Sequence, residues 1–278
     1  MLEIRDLTKN FGSREVLKGI SFTLQTGEVA SLIGGNGSGK TTTFRLILNL
    51  LEPDDGDVRL NGRPLTYGDV SYLPELSSLY QDCTVFQQLM LTAGLSHVRN
   101  AGEKIDRWLD EMRLSEFKRE TIGRLSKGNR QKAALINCLI KNAPVVIMDE
   151  PFTALDGDNI RIFLKIISRL REEGKIVLVS SHIYQPVNDI CDRFLLLKDG
   201  KISADLTANQ LRESEKRMVI VSGGYEPQQE PEAEDQFEEA GNTRYIFADS
   251  LGASQFACRA ALDDVDVSYR RCRIEDYR

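Results

Sequence analysis

Apolar and polar residues alternate from Leu2 to Lys9 (L-E-I-R-D-L-T-K), which predicts a half-buried strand. After the turn Asn10-Phe11-Gly12-Ser13, the run Val16–Leu24 predicts a second strand, and Thr26-Gly27-Glu28 turns the chain into a third, Glu28–Ile33. An antiparallel sheet is thus expected ahead of the central core. Helical spacing then runs from Thr41 to Leu51, with apolar Phe44, Leu46, Ile47, Leu48, Leu50 and Leu51. Glu52-Pro53-Asp54-Asp55-Gly56 stops that helix. Short strands are expected at Asp57–Leu60 and Val70–Leu73, with a hairpin signal at Asn61-Gly62. Thr84 has the chemistry of an N-cap, and Val85, Leu89 and Ala93 form one helical face behind it. Ile105, Leu109 and Met112, joined by Trp108, form the face of a second helix, and Ser126 caps a third. The apolar runs Val145–Met148 and Lys175–Ser180 read as buried parallel strands. Asp192–Lys198, Asp199-Gly200 and Lys201–Ala204 read as a hairpin that closes the domain.

The pattern changes after about Asp205. Strand-like Arg217–Ser222, Arg244–Ala248 and Val265–Tyr269 and helix-like Ala253–Leu262 suffice for a small α+β appendix. Between them, residues 223–242 carry seven acidic residues and no Lys or Arg, against a net charge of −6 for all 278 residues. That composition predicts a mobile acidic loop and leaves the remainder near neutral. The overall charge argues against a general nucleic-acid surface. No apolar run approaches the roughly 18 residues needed to cross a bilayer, and the N-terminal residues lack a signal-peptide core. The expected location is the cytoplasm, or its membrane face through a partner. Cys83, Cys138, Cys191, Cys258 and Cys272 are odd in number and have no C-x-x-C spacing, so reduced thiols are expected.

The sharpest chemistry lies between the third strand and the first helix. Gly34–Thr41 reads G-G-N-G-S-G-K-T, a phosphate-binding loop. Gly34, Gly35, Gly37 and Gly39 permit a tight turn that aims successive N–H groups at one point, with Asn36 and Ser38 between them. The helix behind adds the positive end of its dipole. Lys40 can reach the β- and γ-phosphates of ATP or GTP, and Thr41, followed by Thr42, can ligate Mg²⁺.

Other residues extend the site. The strand Val145–Met148 ends in Asp149-Glu150, two carboxylates at the edge where open α/β sheets bind ligands. Asp149 suits the Mg²⁺ shell and Glu150 a general base for the attacking water. His182 follows the Lys175–Ser180 strand at the same edge. Glu75, after Val70–Leu73, either faces the metal or is a surface carboxylate. Phe11 either stacks on an adenine ring or is a buried turn aromatic. Leu125–Lys132 (L-S-K-G-N-R-Q-K) opens a helix with Ser126, Lys127, Gly128 and Asn129 at its start, either a second anion-binding terminus or a capped basic face.

This order of motifs resembles the ATP-binding cassette of ABC transporters over residues 1 to about 205. Gly34–Thr41 matches the Walker A loop, residues 125–132 the family signature usually written L-S-G-G-Q, and Asp149 and Glu150 the Walker B aspartate and catalytic glutamate. Ala154-Leu155-Asp156 matches the D-loop, His182 the switch histidine and Phe11 the adenine-stacking aromatic. The resemblance implies an α/β fold: a P-loop NTPase core with an antiparallel β subdomain, an inserted helical subdomain over about 76–142, and the C-terminal appendix at 206–278. It implies two cassettes placed head to tail, with ATP and Mg²⁺ between them. Ser126, Lys127, Gly128 and Asn129 would contact the nucleotide held by the partner's loop, and Asp156 would carry communication across the dimer. A homodimer is the simpler expectation. Hydrolysis would drive transmembrane permease subunits docked on the helical insert, at the inner face of the membrane.

Three positions depart from the family pattern. Lys127 replaces the first signature glycine, Asn129 the glutamine, and Glu75 stands at the glutamine-loop position. Pro74-Glu75 with L-S-K-G resembles bacterial cassettes of the export and drug-resistance type, encoded apart from their membrane subunits. A competing class is a soluble cassette protein acting on ribosomes or DNA. Those usually carry two cassettes or a long coiled-coil insertion, and neither is present. A regulatory module without turnover is a third class, against which Lys40, Asp149, Glu150 and His182 argue.

Overall fold

Short strands that are buried along their whole length lie inside one sheet, and longer strands whose burial varies along their length build another. The computed structural model describes residues 1–75, 79–153, 155–181, 190–213, 217–222, 233–239, 242–247, 253, 256–257 and 267–271. These divide into two units, Met1–Asp205 and Leu206–Arg278.

In the first unit, β1 (Leu2–Phe11), β2 (Arg14–Leu24), β4 (Asp55–Leu60) and β5 (Arg63–Pro64) form a sheet of order β2-β1-β4-β5. β1 pairs antiparallel with both β2 and β4, through Leu2↔Leu24 and Leu2↔Leu60. Its residues Leu2, Ile4 and Leu7 are buried in one core with Leu17, Phe22 and Phe44, the register shifting between Ile4 and Leu7. The second sheet has the order β10-β9-β3-β8-β7-β6. It comprises β3 (Val29–Ile33), β6 (Val70–Leu73), β7 (Val145–Met148), β8 (Ile176–Ser181), β9 (Arg193–Lys198) and β10 (Lys201–Thr207). β3 pairs in parallel with β8 and β9, and β7 with β6 and β8. Every residue of β3 and β7 is buried, as a central parallel strand requires. The strand ends Leu73, Met148, Ser181 and Ile33 therefore share one sheet edge.

Helix α1 (Lys40–Ile47) stops short of the expected Leu51. Asn49 takes φ 56, which ends the helix, and Leu50 is left exposed. The insert carries α2 (Val85–Leu95), α3 (Ala101–Glu111) and α4 (Lys127–Leu139). Thr84 caps α2 reciprocally: its hydroxyl accepts from Gln87 N–H at 3.2 Å, and its own N–H donates to Gln87 Oε1 at 2.9 Å. Val85, Leu89, Ala93, Ile105, Leu109 and Met112 are buried as the stripes predicted. Trp108 is only half-buried, and the Arg169 guanidinium lies 4.6 Å from its ring centroid. α5 (Gly157–Glu172) packs Phe163, Ile166, Ile167 and Leu170 inward. Among the described residues no helix is long and apolar enough to cross a membrane.

The second unit begins with α6 (Ala208–Glu213) and builds a sheet of order β12-β13-β11-β14. Its strands are β11 (Arg217–Ser222), β12 (Asp235–Glu239), β13 (Asn242–Phe247) and β14 (Val267–Arg271). Val219, Val221, Tyr245, Phe247, Ala253 and Phe256 form its core, with Tyr245 edge-on to Phe256 at 4.6 Å. β12 lies within the stretch expected to be a mobile acidic loop and corrects that expectation. It is an edge strand, paired antiparallel to β13 through Glu238↔Thr243 and Gln236↔Tyr245, and Glu238 and Gln236 are exposed. Acidic side chains that stay in water do not oppose a backbone ladder, and charge on an edge discourages further pairing. Glu234, just before β12, is exposed and donates its N–H to the Ile246 carbonyl at 2.7 Å, and residues 223–232, 240 and 241 lie outside the described residues.

Candidate active site

The phosphate loop joins β3 to α1 at the shared edge of the sheet. Gly37 and Gly39 take φ values of 77 and 111, a region that favours glycine. Space restricts the loop as well: a Cβ on Gly34 would sit 2.5 Å from the Leu197 carbonyl oxygen and 2.5 Å from Ser38 Oγ. The buried Lys40 ammonium donates to the carbonyls of Gly34 at 2.7 Å and Gly35 at 3.3 Å, so it lies over its own loop. Thr42 is half-buried on the first turn of α1, while Gly35, Asn36 and Gly37 are exposed. Ser38 Oγ is buried without a partner among the described residues. An exposed glycine-rich backbone, a cation and a hydroxyl without a partner among the described residues suit an anion with several acceptor oxygens.

The carboxylates meet this loop across a long stretch of chain. Thr41 Oγ1 donates to Asp149 Oδ2 at 3.2 Å, bringing together residues 108 apart in sequence. Asp149 Oδ1 accepts from the hydroxyl of Ser180, the next-to-last residue of β8. The same hydroxyl accepts from Glu150 N–H at 2.9 Å. Glu150 is buried and has φ 49, a left-handed conformation that costs a residue with a Cβ about 1–2 kcal/mol. Tyr72 of β6 lies close enough to feel Asp149: burial, and then that carboxylate, push its phenol up to about 12. Thr41, Asp149 and Ser180 present only oxygen atoms, the donor type Mg²⁺ prefers. Ser180 and Tyr72 are not among the expected site residues. The one signal for Ser180 was a hydroxyl near the end of an otherwise apolar buried run, and Tyr72 looked like an ordinary strand aromatic.

Phe11 ends β1 with half of its surface exposed (50 %), and Lys9 Nζ lies 6.0 Å from its ring centroid. The buried-aromatic alternative therefore falls, and a free ring face remains. Glu75 follows β6 as an exposed residue at the same sheet edge. Ser126 caps α4, accepting from Asn129 N–H at 3.2 Å, and with Lys127 it is exposed. Gly128 faces α5: a Cβ there would come within 3.1 Å of Asn159 Nδ2. Asp156 caps α5 by accepting from Asn159 N–H at 2.8 Å. It also supports the charge of buried Lys132 in α4, whose pKa burial pulls down. The starts of α4 and α5 thus lie close to each other. His182 and Ala154 lie outside the described residues.

Comparison with known proteins gives this constellation a lineage. Residues 17–153 match the sequence model of the family described as ABC transporter. An uncharacterised ABC transporter ATP-binding protein of Methanocaldococcus jannaschii is 40% identical over 202 residues, 72% of this chain and 75% of that protein. The lipopolysaccharide export system ATP-binding protein of Haemophilus influenzae is 30% identical over 235 residues, covering 80% of this chain and 97% of its own. A solved ATP-binding subunit of an ABC transporter superposes with a TM-score of 0.72 at 31% identity, over 76% of this chain and 92% of that one. The chain belongs to the ABC transporter family as an ATP-binding subunit, a P-loop ATPase cassette.

Proposed function

We propose that this cassette hydrolyses ATP to drive a separate transmembrane permease, as an exporter, through ATP-dependent closure of two copies of the chain. The observation that carries the reading is the junction of Thr41, Asp149 and Glu150, which joins the phosphate loop to two carboxylates at one sheet edge. The backbone N–H groups of residues 34–39 and the Lys40 ammonium hold the β- and γ-phosphates, and the exposed Phe11 ring stacks on adenine. Thr41, Asp149 and Glu75 would hold Mg²⁺, which when bound neutralises charge on the phosphate oxygens. Glu150 accepts the proton of the attacking water, and His182 orients that water and the γ-phosphate. Ser126, Lys127, Gly128 and Asn129 are exposed or half-buried at the start of α4, free to meet the nucleotide of a second cassette, with Asp156 beside them.

Export is supported by the name of the Haemophilus relative and by the Pro74-Glu75 and L-S-K-G pattern. Exposed Tyr80, Met90, Leu91 and Leu95 on and before α2 offer the permease an apolar contact on the insert. The chain would then sit at the inner face of the membrane through that partner alone, without nucleic acid. Glu150→Gln tests the reading. It should abolish turnover and leave a stable ATP-bound dimer in gel filtration; undiminished hydrolysis would reject Glu150 as the base. Affinity capture from solubilised membranes should recover a multi-span protein, and recovery of ribosomes instead would favour the soluble class.

A further inference from the structure

The hydroxyl of Ser180 joins the two carboxylate-bearing residues of the site. We propose that Ser180 is a positioning residue for hydrolysis: it holds the Asp149 carboxylate and the Glu150 backbone in one fixed relation. The proposal rests on the roles given above to Asp149 and Glu150.

Ser180 stands at the end of β8, one strand from β7. Met148 pairs with Val179, so Ser180 is level with Asp149 as the chain leaves β7. Its exposure is 0 %, and a hydroxyl in such surroundings is costly unless bonded. A serine hydroxyl has one proton and can accept through its lone pairs. Here it accepts from Glu150 N–H, so its own proton goes to Asp149 Oδ1. Asp149 Oδ2 is thereby turned to Thr41 in the phosphate loop. The same contact ties the backbone N–H of Glu150, at φ 49, while its carbonyl accepts from Thr153 N–H at 3.2 Å. One side chain thus decides which carboxylate oxygen faces the loop and where the Glu150 side chain starts.

Packing alone does not demand these bonds. Ser31 and Ser71, on β3 and β6 of the same sheet, are also buried, and their hydroxyls have no hydrogen-bond partner among the described residues. The interior of this sheet accommodates an unbonded serine hydroxyl, whereas at Ser180 both bonding functions are engaged, and both with the Asp149-Glu150 pair. Alanine at this position would keep the apolar packing and remove the hydroxyl to which Glu150 N–H donates. Misplacement on the ångström scale costs on the order of 10²-fold in rate when reacting groups must be aligned.

The test compares Ser180→Ala, Glu150→Gln and the double variant in the full chain. It measures kcat and KM for ATP, the dissociation constant of a fluorescent ATP analogue in Mg²⁺ and in EDTA, and the urea midpoint. Ser180→Ala should lower kcat roughly 10- to 100-fold while KM moves less than about threefold. Analogue binding in EDTA should stay at the wild-type value, and the extra affinity conferred by Mg²⁺ should fall about two- to threefold. In the Glu150→Gln background, Ser180→Ala should remove no further turnover. A kcat within about twofold of wild type would overturn the proposal. So would equal loss of analogue affinity in EDTA and in Mg²⁺, which marks general damage to the loop. If Glu150→Gln keeps turnover while Ser180→Ala still weakens the Mg²⁺ effect, the base assignment has failed and the positioning of Asp149 stands. Should Ser180→Ala not fold, Ser180→Cys keeps the volume with weaker hydrogen bonds. It should show the same losses in smaller measure, and wild-type kcat and Mg²⁺ response in that variant would overturn the proposal.

Discussion

Adding one methyl group at Gly34 tests the geometry of the phosphate loop directly. Gly34 does not have a positive φ, so alanine meets no backbone penalty there, and the constraint is space. The new Cβ would lie 2.5 Å from Ser38 Oγ and 2.5 Å from the Leu197 carbonyl oxygen, against 3.4 Å for ordinary contact. Ser38 can rotate away. The Leu197 carbonyl cannot, because β9 is held to β3 in register at Ile33↔Leu196. The loop must therefore retreat by about 0.9 Å. Overpacking of this kind costs about 1–3 kcal/mol. The same displacement moves the Gly34 carbonyl that Lys40 grips at 2.7 Å, so the phosphate-binding groups shift with it. Gly34→Ala should lower unfolding free energy in urea by about 1–3 kcal/mol and weaken ATP affinity at least about tenfold by calorimetry. A Cβ on Gly35 would have nothing within 4 Å, so Gly35→Ala should leave stability within about 0.5 kcal/mol. Equal unfolding midpoints for the two variants would refute the close approach of β9 to the loop.

The exposed ring of Phe11 should act on nucleotide and hardly on folding. Phe11→Ala should weaken ATP binding by about 1–3 kcal/mol with an unchanged urea midpoint, and unchanged affinity would remove the stacking role. Asp69 gives a pH-dependent prediction. Arg63 grips its carboxylate with two hydrogen bonds of 2.7 and 2.6 Å, and Thr66 adds its N–H at 2.9 Å; these hold the pKa well below the usual carboxylate range, Arg63 foremost. A depressed carboxylate stabilises the fold fully above its unfolded pKa of about 3.9, and that contribution fades as pH falls towards its folded value. Asp69→Asn should therefore be less stable than wild type at pH 7, and the gap should narrow steadily below about pH 4 in urea titrations. A gap that is constant with pH would show that the charge of Asp69 is not what stabilises this turn.

Much of the fold was legible because its signals are local. The G-G-N-G-S-G-K-T spacing, the apolar run Val145–Met148, the N-cap chemistry of Thr84 and Ser126 and the turn at Asp199-Gly200 each sit within a few residues, where sterics and hydrogen bonding act directly. Local signals were weaker where long-range pairing decides. Asp235–Glu239 looked like solvated loop and became an edge strand, because β13 offered a ladder and the exposed charges did not oppose it. The α1 pattern ran on to Leu51, yet Asn49 turned left-handed and ended the helix early. At the site, sequence alone supplied Lys40, Thr41, Asp149 and Glu150 as chemical types at the ends of core elements. Their meeting was set by the sheet order β3-β8-β7, which brings Thr41 to Asp149 across 108 residues and Ser180 to both acids across about 30. A hydroxyl in a buried strand carries no mark of which neighbour it will bond. Only the parallel register, by placing Ser180 level with Asp149, turned an ordinary core serine into the link between two carboxylates.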